Sequence, residues 1–163
     1  MYAIWLTFCN DDKEYLSQII KDLAQRYDAP IFLPHITVYG LVRVNVKLLE
    51  EFVKCGIESC NQFSVKTSNI SYSSDMWKTV FIEIKRSSPL FKINTRLQEN
   101  LQKYATYKFS PHISLIYKNM KNSEKIKIIK ELKIKNKFMI NEIAIMKFSQ
   151  DAAKWKIMKK YQF

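Results

Sequence analysis

The sequence predicts an α+β fold, and three observations predict it. Strand-type and helix-type apolar spacings alternate along the chain in the order β α β α β β α β α β β, so single helices are separated by lone strands or hairpins. Hydrophobic residues make up 47% of the 163 residues, with only two Gly and four Pro, as expected of a chain with a real core. No linker or low-complexity tract interrupts the pattern, so residues 1–163 read as a single domain.

The elements follow from local chemistry. Tyr2 to Cys9 is apolar and β-rich, a first strand. Asn10-Asp11-Asp12 offers helix caps, and Leu16, Ile19, Ile20, Leu23 and Tyr27 recur at helical spacing until Asp28-Ala29-Pro30 ends the run. Residues 31–44 read as a strand, with Val38, Val42 and Val44 favouring extended backbone. Asn45 caps a second helix carrying Leu48, Leu49, Phe52, Val53 and Ile57. Phe63–Tyr72 and Trp77–Lys85 form a hairpin about the turn signal Ser73-Ser74-Asp75. Ser88 followed by Pro89 opens a third helix, continued by Leu90, Ile93, Leu97 and Leu101. Phe109–Tyr117 is a strand, Ser123 caps a fourth helix with Ile126, Ile129 and Leu132, and Phe138–Phe148 and Trp155–Phe163 are the last two strands.

Composition excludes several classes. No apolar stretch approaches the roughly 20 residues of a membrane helix. Residues 1–9 lack the pattern of a signal peptide, and the three cysteines, Cys9, Cys55 and Cys60, are unpatterned. Both features lead us to expect a reducing, cytoplasmic setting, with the thiols acting as small buried apolar groups. Only Gly40 and Gly56 are available, which rules out a Gly-rich nucleotide loop. Two histidines and scattered cysteines build no zinc cluster, and no cofactor is expected. The net charge is +12, and residues 118–163 hold 13 Lys against four Asp and Glu. Such an excess attracts phosphate-bearing ligands, although it also fits the Lys-, Asn- and Ile-rich usage of an AT-rich genome.

Both histidines sit in one repeated phrase. Pro34-His35-Ile36-Thr37-Val38-Tyr39 and Pro111-His112-Ile113-Ser114-Leu115-Ile116 share Pro before His and a hydroxyl two residues after it. From the composition, chance would give both histidines this context with a probability of about 10⁻⁵, so the repeat carries meaning. On a strand, side chains two apart share a face, so His35 faces with Thr37 and His112 with Ser114. Each pair offers one proton-transfer group and one hydroxyl donor. If the strands approach, two imidazoles flank a pocket suited to opening a cyclic phosphate diester. One neutral His takes a proton from the attacking water and one protonated His gives a proton to the departing ribose oxygen. Thr37 and Ser114 hold the non-bridging oxygens, and the scheme requires no metal.

With these motifs the chain resembles the 2H phosphoesterases, defined by two H-x-[ST]-x motifs. Tyr2-Ala3-Ile4-Trp5-Leu6, Phe32-Leu33-Pro34-His35-Ile36-Thr37-Val38, Phe109 through Tyr117 and the Trp155-containing last strand make it most similar to the cyclic nucleotide phosphodiesterases of plant and yeast type. The resemblance implies a bilobal fold of two antiparallel sheets with helices packed outside, pseudo-two-fold symmetry and a central cleft. It also implies opening of ADP-ribose 1″,2″-cyclic phosphate and nucleoside 2′,3′-cyclic phosphates to a phosphomonoester, with His35 and His112 as the catalytic pair and Thr37 and Ser114 on phosphate. Tyr117 takes the position of a substrate-contacting Tyr, although simple alternation puts it on the face opposite His112, so a twist or bulge must intervene. Short RNA ends or cyclic oligonucleotide signals are alternative substrates, and a catalytically silent RNA-binding module is an alternative of another class. The expected protein is a monomer acting on a small cyclic phosphate or nucleotide, with no membrane partner.

Other residues carry weaker expectations. Tyr39 falls on the His35 face by alternation, where stacking a base and packing in the core are equally open to it. Gly40 marks a bend or a close approach. Trp5 and Trp77 are expected in the core, with the cleft wall as the alternative; Lys78 is expected on the surface, with phosphate holding as the alternative; and the run from Lys154 to Lys160 reads as a solvated strand face or a guide for polyphosphate substrates.

Overall fold

Every strand and helix expected from apolar spacing is present, and the chain begins with the predicted strand, β1 (Tyr2–Phe8). The computed structural model describes residues 1–163. After β1 the main elements are α1 (Asn10–Tyr27), β2 (Ile36–Val42), α2 (Val46–Gly56), β3 (Phe63–Tyr72), β4 (Val80–Ile84) and α3 (Ser88–Leu101). They continue with β5 (His112–Ile116), α4 (Asn122–Glu131), β6 (Lys137–Lys147) and β7 (Lys156–Gln162). No helix is long and apolar enough to cross a membrane.

The boundaries differ where proline and capping intervene. β2 begins at Ile36 rather than residue 31, and β5 at His112 rather than Phe109, because Pro34 and Pro111 have no N–H for a ladder. Trp77 lies in a single 3₁₀ turn (Met76–Lys78) rather than in β4, because the Asp75 carboxylate accepts from the Trp77 N–H at 2.8 Å. Ser87, not Ser88, precedes α3, and Ser123 sits inside the first turn of α4, where the Glu124 carboxylate accepts from the Lys121 N–H at 3.1 Å.

All pairings are antiparallel, in the order β2-β1-β6-β3-β4-β5 with β7 also on β6. The two expected sheets are joined through β3. Its residues Phe63–Lys66 pair with β6, while Thr67–Tyr72 pair with β4. Where β3 leaves β6, β7 takes over the vacated edge opposite Glu142–Lys147. One face of this continuous sheet packs on the helices. There Ile4, Leu6, Val65, Ile82, Phe138 and Ile145 meet Leu16 and Leu23 of α1, Leu49 and Val53 of α2, Leu90 and Leu97 of α3 and Ile128 of α4 in one core cluster. The opposite face carries Ala3, Trp5, Phe81 and Met146 and no helix. The sheet curls until its edge strands β2 and β5 come into contact, which brings the two motifs together.

Candidate active site

The two histidines are held by the same local device. In each lobe the His Nδ1 lies 2.7 Å from the carbonyl oxygen two residues earlier, Leu33 for His35 and Ser110 for His112. A carbonyl only accepts, so Nδ1 carries the proton and Nε2 is left free in both rings. Pro34 and Pro111, each between the histidine and its carbonyl, fix the extended approach that makes this contact. An aromatic from the neighbouring strand supports each ring from the paired position. Trp5 is opposite Thr37 and stacks on His35, while Phe81 is opposite Ser114 and meets His112 edge-on at 5.5 Å between centroids.

Both motif strands carry a bulge at the same place. Trp5 pairs with Thr37 but Ile4 with Tyr39, so Val38 is extra; Phe81 pairs with Ser114 but Val80 with Ile116, so Leu115 is extra. A bulge reverses alternation beyond it. Thr37 and Ser114 therefore face the cavity, and the residues two further on, Tyr39 and Ile116, turn into the core. This settles Tyr39 in the core and corrects the base-stacking expectation. It is fully buried, its hydroxyl donates to the Ala105 carbonyl at 2.6 Å, and it does not line the cavity. The same reversal returns Tyr117 to the cavity, as the resemblance required. Gly40 holds the equivalent position in the first lobe, and the Tyr107 ring lies against it: a Cβ on Gly40 would stand 2.5 Å from Tyr107 Cδ2. Tyr107 also donates its hydroxyl to the Thr37 carbonyl at 3.2 Å.

A cavity of about 580 Å³ joins these groups. His35, Thr37, His112, Ser114 and Tyr117 all line it, together with Trp5, Trp77, Lys78 and Trp155. Trp5 and Trp77 thus belong to the cavity wall. Trp5 is buried as expected, in a small cluster with Ala3 and Met146, and also reaches the cavity, because the face of the sheet opposite the helices is itself lined with aromatics; Trp77 is only half-buried there. Phe32 stacks on Tyr117 at 3.8 Å between centroids, and Trp77 and Trp155 close around them. The Ser114 hydroxyl donates to the Trp77 carbonyl at 3.1 Å.

Electrostatics separate the two imidazoles. Burial is the main cause that pushes His35 down to about 3; the Leu33 carbonyl opposes this, and the charge on His112 adds to it. His112 also lies below its ordinary value through burial, opposed by the Ser110 carbonyl; Lys78 pushes it down and Asp75 pulls it up. Burial raises Tyr117, partly offset by the neighbouring Ser114 hydroxyl, and pushes Tyr107 up to about 12, so both remain O–H donors. Lys78 Nζ sits 4.3 Å over the Phe81 ring and donates to Ser110 Oγ at 3.3 Å, so it faces the cavity rather than open solvent. Sequence reading missed Tyr107 and Asp75, which lie in loops with no periodicity. The thiols differ from expectation as well: Cys55 is exposed on α2, and Cys9 and Cys60 are only partly covered.

Comparison with solved structures shows the same architecture elsewhere. Escherichia coli LigT complexed with 3′-AMP matches with a TM-score of 0.65 at 13% identity, over 99% of this chain and 96% of that one. The protein TT0787 of Thermus thermophilus matches with a TM-score of 0.65 at 10% identity, over 99% and 96%. At these identities the likeness is one of fold, the α+β fold of the 2H phosphoesterases. A search of curated proteins finds no match. The family model for cyclic phosphodiesterase-like proteins matches residues 1–162. With that match spanning nearly the whole chain, and two histidine–hydroxyl motifs facing each other across a curled antiparallel sheet, the chain belongs to the cyclic phosphodiesterase-like family.

Proposed function

We propose that the protein hydrolyses a cyclic phosphodiester, ADP-ribose 1″,2″-cyclic phosphate or a nucleoside 2′,3′-cyclic phosphate, to a phosphomonoester by two-histidine acid–base catalysis. One observation carries the reading: both imidazoles are locked through Nδ1 to a carbonyl, which leaves two free Nε2 atoms on one cavity, each with a hydroxyl two residues away. His35 is the base. Its burial beneath Trp5 keeps it neutral, so Nε2 takes a proton from water as the water oxygen bonds to phosphorus. His112, with Asp75 opposing the loss of its charge, is the acid that protonates the departing ribose oxygen as the P–O bond breaks. Thr37 and Ser114 donate to the non-bridging oxygens, Ser114 exchanging its bond to the Trp77 carbonyl for one to phosphate. Tyr117 keeps its proton and binds substrate beside Ser114. The presence of Tyr117 and Trp5 in the cavity supports the plant and yeast type within the family. Residues 1–163 act as one domain of two interleaved lobes, since β6 and β7 follow the second motif while β6 pairs with β1 of the first. In this reading the enzyme works as a cytoplasmic monomer.

Phosphorus NMR of the protein in EDTA tests this. The substrates are ADP-ribose 1″,2″-cyclic phosphate, the four 2′,3′-cyclic nucleotides and a panel of cyclic di- and trinucleotides, with the His35→Ala/His112→Ala double variant alongside. Opening of a mononuclear cyclic phosphate by the wild type alone supports the proposal. Cleavage of cyclic oligonucleotides alone moves the substrate to that class. Absence of turnover overturns the enzyme reading in favour of an RNA-binding module.

A further inference from the structure

Three lysines stand side by side on the sheet face that carries the cavity. Lys137 of β6 is the direct partner of Lys66 of β3. The N–H of Lys85, just past β4, donates to the Lys66 carbonyl at 2.8 Å, which places Lys85 on the other side of Lys66 in the same register. Directly opposed residues share a face, and like charges so placed repel. None of the three makes an ion pair, and all three are exposed. Lys135 nearby is different, since Asp12 neutralises it.

The row is continuous with the site. Phe81, Glu83 and Lys85 alternate along one face of β4, and Phe81 and Glu83 are the partners of Ser114 and His112. Lys85 is thus one two-residue step, roughly 7 Å, beyond the rung that holds His112. Lys66 and Lys137 follow at strand spacings of about 4.8 Å. The one carboxylate on the path, Glu83, accepts from the Ser71 hydroxyl at 2.7 Å and is drawn toward β3. Isolated lysines on a surface serve solubility. Three aligned on adjacent strands, without a counter-charge, cost stability that a bound polyanion would return.

We propose that Lys85, Lys66 and Lys137 form a track for the phosphates of a single RNA strand whose terminal 2′,3′-cyclic phosphate occupies the cavity. The proposal rests on the cyclic phosphodiesterase reading and names its substrate class. The terminal phosphate meets the histidines and hydroxyls, and the preceding phosphates step outward along the lysine row. The lysines act as point charges on the backbone and read no sequence.

The test compares uridine 2′,3′-cyclic phosphate with a five-nucleotide RNA ending in a 2′,3′-cyclic phosphate. Both are offered to the wild type and to the Lys66→Gln/Lys85→Gln/Lys137→Gln variant. A control variant, Lys21→Gln/Lys47→Gln/Lys127→Gln, removes the same charge from three exposed helix positions. The expected result is unchanged kcat/KM for the mononucleotide in all three proteins, with a loss of tenfold or more for the oligonucleotide in the row variant alone. The slope of log(kcat/KM) against log salt should fall by about two for the oligonucleotide. Equal loss in both triple variants, loss on both substrates, or no loss overturns the track. If the wild type turns over neither substrate, the enzyme reading has failed, and titration of the same RNA with a 3′-phosphate end decides the track. Weaker binding by the row variant than by the control variant supports it, and equal binding overturns it.

Discussion

The indole of Trp5 lies flat on the His35 imidazole, with ring centroids 3.6 Å apart and planes 10° from parallel. In the proposed mechanism the stack ties β1 to the acid–base chemistry, although β1 holds no ionisable group of its own in the cavity. Replacing Trp5 with Leu opens His35 to water and raises its pKa toward the ordinary value. The acid limb of the kcat/KM profile should move to higher pH, with less than about a twofold loss of activity at pH 7 and about a tenfold loss near pH 5.5, against the 10²–10⁴ expected at all pH for His35→Ala. A pH–rate profile of Trp5→Leu beside Trp5→Phe checks this, and an unmoved acid limb would refute the coupling.

Burial of His35 also predicts how stability depends on pH. Its pKa is about 3 in the folded protein against an ordinary 6.5. Between those values the unfolded chain binds the extra proton, so stability is full above pH 6.5 and is lost as pH falls toward 3. At pH 5 the loss is about 2 kcal/mol, or roughly 4–8 °C in Tm for a chain of this size. Calorimetry from pH 7.5 to 5 measures it, and His35→Gln should flatten the dependence.

In the proposed mechanism the active ionic form has His35 neutral and His112 protonated. Because both lie below the ordinary value, the kcat/KM bell should peak on the acid side of pH 6.5. A bound anionic phosphate favours protonated His112, so the alkaline limb of kcat should lie above that of kcat/KM. Asp75→Asn removes the charge that pulls His112 up and should move the alkaline limb of kcat/KM downward. Coincident limbs in wild type and variant would remove Asp75 from the site.

Gly40 and Tyr107 make a second testable pair. Gly40→Ala forces its methyl against the Tyr107 ring, an overpacking cost of about 1–3 kcal/mol. Tyr107→Ala should relieve that cost, so the two substitutions are strongly non-additive in a denaturation cycle. Tyr107→Phe keeps the ring but loses the bond to the Thr37 carbonyl, and should lower kcat more than it changes stability.

Local sequence patterns suffice for the elements, because each follows from spacing and capping within a few residues. Leu16, Ile20 and Leu23 on one face of α1, or Asn45 accepting from the Lys47 N–H at 2.9 Å, need no distant partner. The motifs are legible for the same reason: Pro, His and the hydroxyl act through the adjacent carbonyl and the shared strand face. Alternation misplaces Tyr39 because it carries information only as far as the next bulge, and a bulge is set by pairing with β1. Sequence leaves Trp5 and Trp77 between core and cavity wall because burial in a core and burial around a cavity use the same residue types.

The α+β class, the order of elements and the four motif residues that line the cavity are encoded in local periodicity and a repeated phrase, so the chain alone specifies them. The faces that Tyr39 and Tyr117 take, and the packing of Tyr107 over Gly40, emerge on folding. So does the row of three lysines, distant in sequence, that begins one step beyond the rung of His112. Those outcomes depend on strand register and sheet curvature, which arise from pairings between residues as far apart as Lys66 and Lys137.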